Sequence, residues 1–582
     1  IHFQANKEVQ NHEIELFKIP FVLALIIIFK KNKQIGTDKI AKFNISKYWY
    51  FYNNNFNYAS YGKNIVNYNN YIKIIEPKHI KKYGKSTRIH NQYFCFLDYS
   101  NFKSVKHKWV IPIKDGDKLS IFALAAFFNT IHRNTSCNLI YADEDTIDEN
   151  NIRKNPKFKT AWNRELFWSD PDFGRCWVIK GSLWNLALDY YQKKSNYVPD
   201  FKEIIYFITQ YLEDKNKKNS IYHLPFICYH RKSTNKEISN RGGNFKTAEK
   251  LYKHLLSNKQ NLGLVKSVNL LPGINAHKIQ WSCPKNLRIS IIIPTKNKSF
   301  LLEKCFTSIK NLSTIRNHQI IIVDNNSNEN SSIKYLEHLK TLKSSFDISV
   351  ETYKGVFNYS QINNYASEKA NGDILLFLNN DVEINTPSWD IEIISNSIRK
   401  DIGLVGIKLI FPDDYIQHAG VIIGLSNFAG YSHKNFYKNE NGYECRIQLA
   451  QEYLGLTGAF LAIEKNKWKK LKGMDSKNLA INYNDVDLCL RSHESGFRNI
   501  YLPFIEGIHQ ESSTRGKLKS LHFKQWKKEI RWVKNKWRDV LLKGDSYYNP
   551  NLTLLNEEFS LSINTKNENI FKPRNCQIKS SN

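Results

Sequence analysis

The sequence predicts an α/β protein built from two tandem copies of one domain. Two observations carry this. The first is a set of short apolar runs, rich in β-branched residues, that stop abruptly in polar residues: Ile289-Ser290-Ile291-Ile292-Ile293-Pro294, Ile320-Ile321-Ile322-Val323-Asp324 and Ile374-Leu375-Leu376-Phe377-Leu378. Buried parallel strands that end at a ligand cleft read this way. The second is an internal repeat. Ile221-Tyr-His-Leu-Pro225-Phe-Ile-Cys-Tyr-His230 matches Ile500-Tyr-Leu-Pro503-Phe-Ile-Glu-Gly-Ile-His509, with one residue inserted. Asp117 and Asp381 precede these segments at similar distances, each after an apolar strand. A third match pairs Leu139-Ile-Tyr-Ala-Asp143 with Leu409-Ile-Phe-Pro-Asp413.

Composition sets the outer bounds. The 582 residues suffice for two to four domains, and 41% hydrophobic content supports a sizeable core. The chain opens on Ile1 and its single methionine is Met474, so a preceding N-terminal piece is expected. The net charge of +31 fits an anionic partner or a lysine-rich bias spread over the surface, and bias is the favoured reading. No zinc-finger spacing or RNA-binding signature supports nucleic acid as a partner. The nine cysteines are scattered and form no CxxC pair. This predicts reduced thiols, a cytoplasmic setting and no zinc site. The apolar run Ile19 to Phe29 contains Pro20 and is short for a membrane span, so a buried element is expected.

In order along the chain, residues 1–86 carry little readable pattern. Residues 87–240 form the first, diverged α/β unit. It has a strand near Val105 to Ile113, a helix over Leu119 to Thr130, and a short strand Cys137 to Tyr141 ending in Asp143-Glu144-Asp145. Residues 241–286 read as a helical linker, and 287–516 as the second unit. Residues 517–543 read as a basic amphipathic helix, and 544–582 as a weakly patterned tail.

The chemistry-bearing residues fall in the second unit. Asp324 ends a strand, where a carboxylate accepts hydrogen bonds from a ribose or base. Asn379, Asn380 and Asp381 end another. A carboxylate there suits Mg²⁺ or Mn²⁺, hard cations that take oxygen ligands and bridge to phosphates. Asp485 and Asp487 open a helix. Either fits the helix dipole, and Asp485 is the more exposed candidate for a general base. His509 ends a strand and is a further candidate ligand. Arg515 in the following loop suits a diphosphate. Thr457-Gly458-Ala459 offers a small-residue turn for close approach of an acceptor.

The second unit resembles the family-2 glycosyltransferases of the GT-A fold, in their bacterial rhamnosyltransferase-like, polysaccharide-building branch. The blocks that carry the resemblance run in family order. They are Pro294-Thr-Lys-Asn297, Val323-Asp-Asn-Asn-Ser327, Phe357-Asn-Tyr-Ser-Gln-Ile-Asn363-Asn364, Leu378-Asn-Asn-Asp381, Ile416-Gln-His-Ala-Gly420, Thr457-Gly-Ala459, Asn484-Asp-Val-Asp-Leu-Cys-Leu-Arg491 and His509-Gln-Glu-Ser-Ser-Thr-Arg-Gly516. The first unit resembles the family through Leu139 to Asp145, Pro156-Lys-Phe-Lys159 and Trp162, and the tail through Tyr547 to Thr553.

The resemblance implies two tandem GT-A-like domains, each a mixed sheet flanked by helices. It also implies an inverting glycosyltransferase that uses a nucleotide-diphosphate sugar and a saccharide or lipid-linked acceptor in surface polysaccharide synthesis, such as O-antigen. Asp485 would be the base, and Asp381 and His509 would hold a divalent cation. Pro294, Thr295, Asn297, Asp324, Asn379, Asn380 and Arg515 would line the donor site. Asn379 stands where an aspartate is more usual, and Asn484 where glutamate is. In the first unit Val198 aligns with Asp485, so the base is expected to be lost there. A non-catalytic carbohydrate- or nucleotide-binding module is the competing reading.

Between Lys517 and Leu541, nine Lys or Arg stand against two acids around an apolar stripe. The stripe fits packing on the catalytic domain, the favoured reading, or a peripheral contact with the inner face of a membrane.

Overall fold

The computed structural model describes residues 65–575, except 88–91, 100–101, 171, 196–197, 233–244, 258–264, 272–273, 511–519, 563–568 and 570–571. The run Ile19 to Phe29 and Arg515 lie outside the described residues.

Two curved mixed sheets form the body. The first holds β1 (Phe94–Asp98), β2 (Trp109–Ile113), β3 (Lys118–Leu119), β4 (Leu139–Ile147), β5 (Arg153–Lys157), β6 (Trp177–Lys180) and β7 (Ile221–Lys232), in the order β1-β2-β6-β4-β7-β3, with β5 on β4. A hairpin follows, β8 (Val265–Leu271) with β9 (Ala276–Trp281). The second sheet is built from β10 (Ile289–Thr295), β11 (Gln319–Asp324), β12 (Asp347–Thr352), β13 (Ile374–Leu378), β14 (Val382–Ile384), β15 (Ile402–Ile410) and β16 (Ile416–His418). A small hairpin of β17 (Val421–Ile423) and β18 (Ala429–Tyr431) stands apart. The sheet is completed by β19 (Gln451–Glu452), β20 (Phe460–Glu464) and β21 (Arg498–His509). Its order is β12-β11-β10-β13-β20-β15-β21-β14, with β16 on β15 and β19 on β21.

The repeat is exact in topology. The path β1-β2-β6-β4-β7-β3 reappears as β10-β13-β20-β15-β21-β14. Strand directions agree at each step: β4 runs parallel to β7 as β15 does to β21, and β3 runs antiparallel to β7 as β14 does to β21. Register agrees too. Lys118 faces His230 as Val382 faces His509, so Asp117 and Asp381 are equivalent. Among the described residues, β11 and β12 have no counterpart in the first unit.

One sequence match is corrected by the register. Leu139 pairs with Ile221, and Val405 pairs with Ile500, so Leu139 is equivalent to Val405 rather than to Leu409. A four-residue slip still aligns apolar with apolar on a strand, because side-chain direction has period two.

Local differences have plain causes. β4 continues through Asp143, Glu144 and Asp145 instead of ending there, and all three carboxylates are buried. Each has protein partners: His223 and Asn549 on Asp143, Lys159 and Arg231 on Glu144, Arg153 and His230 on Asp145. Burial pushes the Glu144 carboxyl up, but Arg231 and Lys159 outweigh it and hold it down at about 2. The span 241–286 is not wholly helical. Helix Phe245–Ser257 is followed by the β8–β9 hairpin. The unread region before residue 86 contains the helices Ile65–Ile74 and Glu76–Tyr83; Tyr68 and Tyr71 of the first, and Ile75 between the two, enter the core.

The strands of the second sheet are apolar on both faces because helices cover both. Ile289, Ile291 and Ile293 join one cluster with Leu302, Phe306 and Trp389. Ile292, Ile321 and Phe377 join another with Ile362 and Trp468.

Candidate active site

β10, β11 and β13 are parallel, so their C-terminal ends share one edge of the sheet. That edge is where an open α/β sheet binds ligands. Thr295 and Asp324 are register partners at the ends of β10 and β11. The amide of Asn380, just past β13, donates to Thr295 Oγ1 at 3.0 Å. Both Thr295 and Asn380 are buried. Pro294 lies inside the sheet, opposite Val323.

Two predicted donor-site residues spend their side chains locally. Asp324 accepts from Ser327 N at 3.0 Å and from the Ser327 hydroxyl. Asn297, at φ 57, accepts from Asn328 N and Glu329 N, and its own N–H donates to Ser327 Oγ. Together they lock the loops after β10 and β11 into one rigid lip.

Asp381 and His509 meet. The register pair Val382–His509 brings His509 Nε2 to 3.1 Å from Asp381 Oδ1. Both residues are buried. His509 Nδ1 contacts Gln417 Oε1 at 2.6 Å, and the Asn379 amide nitrogen lies 3.4 Å from His509 Nε2. Gln417 can only accept through Oε1, so Nδ1 carries a proton, and in the neutral ring Nε2 then presents a lone pair. Asp381 Oδ1 is buried and accepts no hydrogen bond.

A lone pair facing a carboxylate oxygen at this distance fits a shared cation. Two ligands about 2.1 Å from one octahedral ion, at right angles, lie about 3.0 Å apart. The donor set of one carboxylate and one imidazole suits Mn²⁺ or Mg²⁺ completed by phosphate oxygens and water. No group of three or more His, Cys, Asp or Glu gathers around a metal position among the described residues, so other ligands would come from outside those side chains.

Asp485 stands at the start of helix Asn484–Glu494. Its Oδ2 accepts from Gly458 N at 2.7 Å and its Oδ1 from Val486 N at 2.8 Å. A Cβ on Gly458 would lie 3.3 Å from the Asp485 Cβ, so a larger residue would push the carboxylate aside by a few tenths of an ångström. Gly458 O accepts from Tyr359 Oη at 2.8 Å, and Ala459 O accepts from Asn379 N at 2.9 Å. A short chain of contacts therefore links Asp485, through Gly458 and Ala459, to Asn379 and the Asp381–His509 pair. Asn380 and Thr295 extend it to the Asp324 edge.

Asp487 is not part of this edge. It is fully buried, with Oδ2 taken by Arg491 Nε at 2.8 Å and Oδ1 by Lys536 Nζ and Trp537 Nε1. It anchors the C-terminal helix.

Sequence reasoning gave no role to three residues that shape the site. His418 donates from Nδ1 to Ile407 O and accepts from Thr457 N at 3.3 Å. Burial pushes it down to about 4, so it is neutral. Gln417 holds His509. Glu529, fully buried, accepts from Ile481 N, Asn482 N and the Asn482 amide, and so fixes the turn leading into the Asp485 helix. The first two stand in the block Ile416-Gln-His-Ala-Gly420. Glu529 had no signal, because an acid within a basic helix reads as a solvated side chain.

Residues 290–415 match the model of glycosyl transferase family 2. The matched stretch lies in the second α/β unit and supports reading that unit as similar to family-2 glycosyltransferases. The unit has the mixed sheet of the GT-A fold class, with Asn379-Asn-Asp381 at the end of a central strand.

Two curated relatives match a longer stretch. An uncharacterised protein of Sinorhizobium fredii is 29% identical over 460 residues, 78% of this chain and 49% of the relative. The O-antigen biosynthesis protein RfbC of Myxococcus xanthus is 27% identical over 447 residues, 75% of this chain and 33% of the relative. The chain thus spans half or less of the relatives it matches. Among solved structures, GalNAc-T7 with UDP, GalNAc and Mn²⁺ aligns over 44% of this chain and 50% of its own, at 15% identity and TM-score 0.35. The mannosyltransferase PcManGT of Pyrobaculum calidifontis, with GDP-Man and Mn²⁺, aligns over 40% and 60%, at 15% identity and TM-score 0.31.

The first unit's equivalent edge is built differently. Asp117 accepts from Tyr229 Oη at 2.8 Å, Arg175 NH1 at 3.2 Å and Lys232 N at 2.8 Å. His230 turns away, with Nδ1 on Asp145 Oδ1 and Nε2 on Ser120 Oγ. A guanidinium stands on the aspartate that, in the second unit, faces the histidine.

Proposed function

We propose that the protein is an inverting glycosyltransferase that moves a sugar from a nucleotide-diphosphate donor to a saccharide or lipid-linked acceptor during surface polysaccharide assembly, with O-antigen as the model product. The reading rests on one observation above the others: the buried Asp381–His509 pair and the backbone-oriented Asp485 share one edge of the unit that is similar to family 2.

Asp381 and His509 would hold the divalent cation, which when bound neutralises charge developing on the departing diphosphate. Thr295, Asn379, Asn380 and the rigid lip set by Asn297 and Asp324 line the donor side, with Pro294 fixing the strand beneath. Arg515 is proposed to reach the diphosphate. Gly458 N–H and Val486 N–H orient the Asp485 carboxylate toward the acceptor. Asp485 takes the proton from an acceptor hydroxyl, whose oxygen attacks the anomeric carbon as the carbon–oxygen bond to the nucleoside diphosphate breaks. The rhamnosyl- or hexosyl-type preference is part of the same proposal, as is work at the cytoplasmic face of a membrane. No described helix is long and apolar enough to cross a bilayer.

The first unit is proposed to be non-catalytic. Val198, which the sequence sets against Asp485, carries no carboxylate and is 71% exposed, and Asp200 caps helix Phe201–Asp214 and pairs with Lys250.

Transfer assays with UDP-, GDP- and dTDP-sugars in Mn²⁺ test the proposal, with Asp485→Asn as control. The expected result is transfer by the wild type from one donor class and a 10²–10⁴-fold lower rate in the variant. Donor turnover unaffected by Asp485→Asn would overturn the assignment of the base.

A further inference from the structure

We propose that Gln417 is a positioning residue that locks His509 in its Nδ1–H form, so that Nε2 is presented to a divalent cation shared with Asp381. This rests on the metal reading above and adds to it a group that does not touch the metal.

The local backbone is shaped for the task. β16 pairs antiparallel with β15 through Leu409–His418 and Ile410–Ile416. Two adjacent residues on β15 therefore face three on β16, and the extra residue is Gln417. Such a bulge re-aims one side chain out of the ordinary alternation. Here it turns Gln417 into the interior, where only 2% of its surface is exposed, and puts Oε1 2.6 Å from His509 Nδ1. Its neighbours take separate tasks. His418 serves the Thr457 turn, and Ile416 enters the core.

The shortest contact of His509 places one proton. Gln417 Oε1 can only accept, so Nδ1 donates. Nε2 lies 3.1 Å from an Asp381 oxygen, and a cation there would take the Nε2 lone pair in place of the long 3.4 Å Asn379 contact. A ligating histidine held by a hydrogen bond on its other nitrogen loses 10–100-fold in metal affinity when that partner is removed.

The first unit supplies the contrast within one chain. His230 occupies the register of His509, yet Asp145 and Ser120 take its two nitrogens, and Arg175 takes Asp117. The fold alone therefore does not create the Gln417 arrangement.

The experiment is an EPR titration of free Mn²⁺, without nucleotide, on the whole protein and on Gln417→Leu, Gln417→Glu and His509→Ala. ¹⁵N-histidine spectra of the metal-free proteins run alongside. Gln417→Leu is expected to weaken Mn²⁺ binding about 10–100-fold and to lose the single Nδ1–H signature. Gln417→Glu keeps the acceptor and is expected to bind within about threefold of wild type. If Gln417→Leu binds as wild type while His509→Ala does not, Gln417 has no positioning role. If His509→Ala also binds as wild type, the metal reading falls first and this proposal with it. If Gln417→Leu shows no cooperative melt, Gln417→Glu decides alone, and a tenfold loss of Mn²⁺ affinity there overturns the proposal.

Discussion

Asp485 and Asp487 stand two residues apart in the first turn of one helix, and the structure gives them opposite work. Asp485 is half-buried at the cleft edge, while Asp487 is sealed with Arg491, Lys536 and Trp537. Their variants should therefore fail differently. Asp485→Asn should keep the wild-type melting transition and lose turnover. Asp487→Ala removes the buried partner of half-buried Arg491 and Lys536 and of Trp537, and should cost about 1–3 kcal/mol of stability. Chemical denaturation distinguishes the two, and equal midpoints for Asp487→Ala and wild type would contradict the anchoring role. A parallel contrast separates the units: Asp381→Ala should abolish Mn²⁺-dependent transfer, and Asp117→Ala should leave most of it. Loss of transfer to the same degree in both would restore catalytic standing to the first unit.

At this scale the sequence was legible where a residue ended an apolar run, as Asp324 and Asp381 do. It was misleading where several charges ran together. Asp143-Glu144-Asp145 reads as a strand end, but its partners come from Arg153, Lys159, β7 and the distant Asn549 amide, which no local pattern can supply.

The C-terminal helix Ser520–Lys536, continued by Arg538–Lys543, shows how an element can be read correctly in type and half-read in purpose. Its apolar stripe packs inward: Ile530, Val533, Trp537 and Val540 join Leu454, Leu479, Val486 and Leu490. The stripe is therefore occupied, as the packing alternative expected. The outward face keeps Lys524, Lys527, Lys528, Arg531 and Arg538, with Phe523 half-exposed at one end. Any membrane contact by this helix must then be electrostatic. Flotation with anionic vesicles should fall steeply between about 0.05 and 0.5 M salt, as screening shortens the reach of surface charges. Salt-independent flotation would point instead to insertion of an apolar face. The inward side also makes a catalytic prediction. Glu529→Ala releases Ile481 N and Asn482 N beside Tyr483, whose φ of 60 is costly for a residue with a Cβ. Turnover should drop at least tenfold while Mn²⁺ binding at Asp381 and His509 stays within about twofold; unchanged kinetics would remove Glu529 from the positioning of Asp485.

On the scale of the whole described body, the two units are joined by buried ions rather than by a flexible tether. Arg164 meets Asp401 at 2.6 Å, Arg399 meets Glu165 at 2.6 Å, and Arg498, which pairs with Glu452 of its own unit at 3.3 Å, meets Glu213 at 2.8 Å. Arg498→Ala should destabilise the protein by about 3 kcal/mol, because it takes a buried counter-ion from both Glu213 and Glu452. The repeat in the sequence gave the two copies. It was silent on how they join, because the joining residues differ between copies.

Acid should loosen the same body. Burial pushes His277 and His418 down to about 4, against an ordinary value near 6.5. The unfolded chain takes up those protons first, so each histidine withdraws up to about 3 kcal/mol of stability as pH falls from about 6.5 to 4. Asp545 acts in the other sense. Burial raises it to about 6, and it returns a similar amount over the lower part of that range. His223 and His433 are also lowered by burial, so the net expectation is loss. The urea midpoint should be lower at pH 5 than at pH 7, and a flat profile would contradict it.

The segment from Tyr547 to Arg574 reaches back across the chain. Asn549 binds Asp143 and Lys159 O, Asn551 binds Pro225 O, and Arg574 exchanges backbone hydrogen bonds with His223. A ribosome delivers the β4 and β7 contact points 406 and 326 residues earlier than these partners. The leading half must therefore wait, its acids only partly covered, until nearly all of this chain has emerged, and messages cut short near residue 540 should yield proteins that chaperones retain and proteases clear.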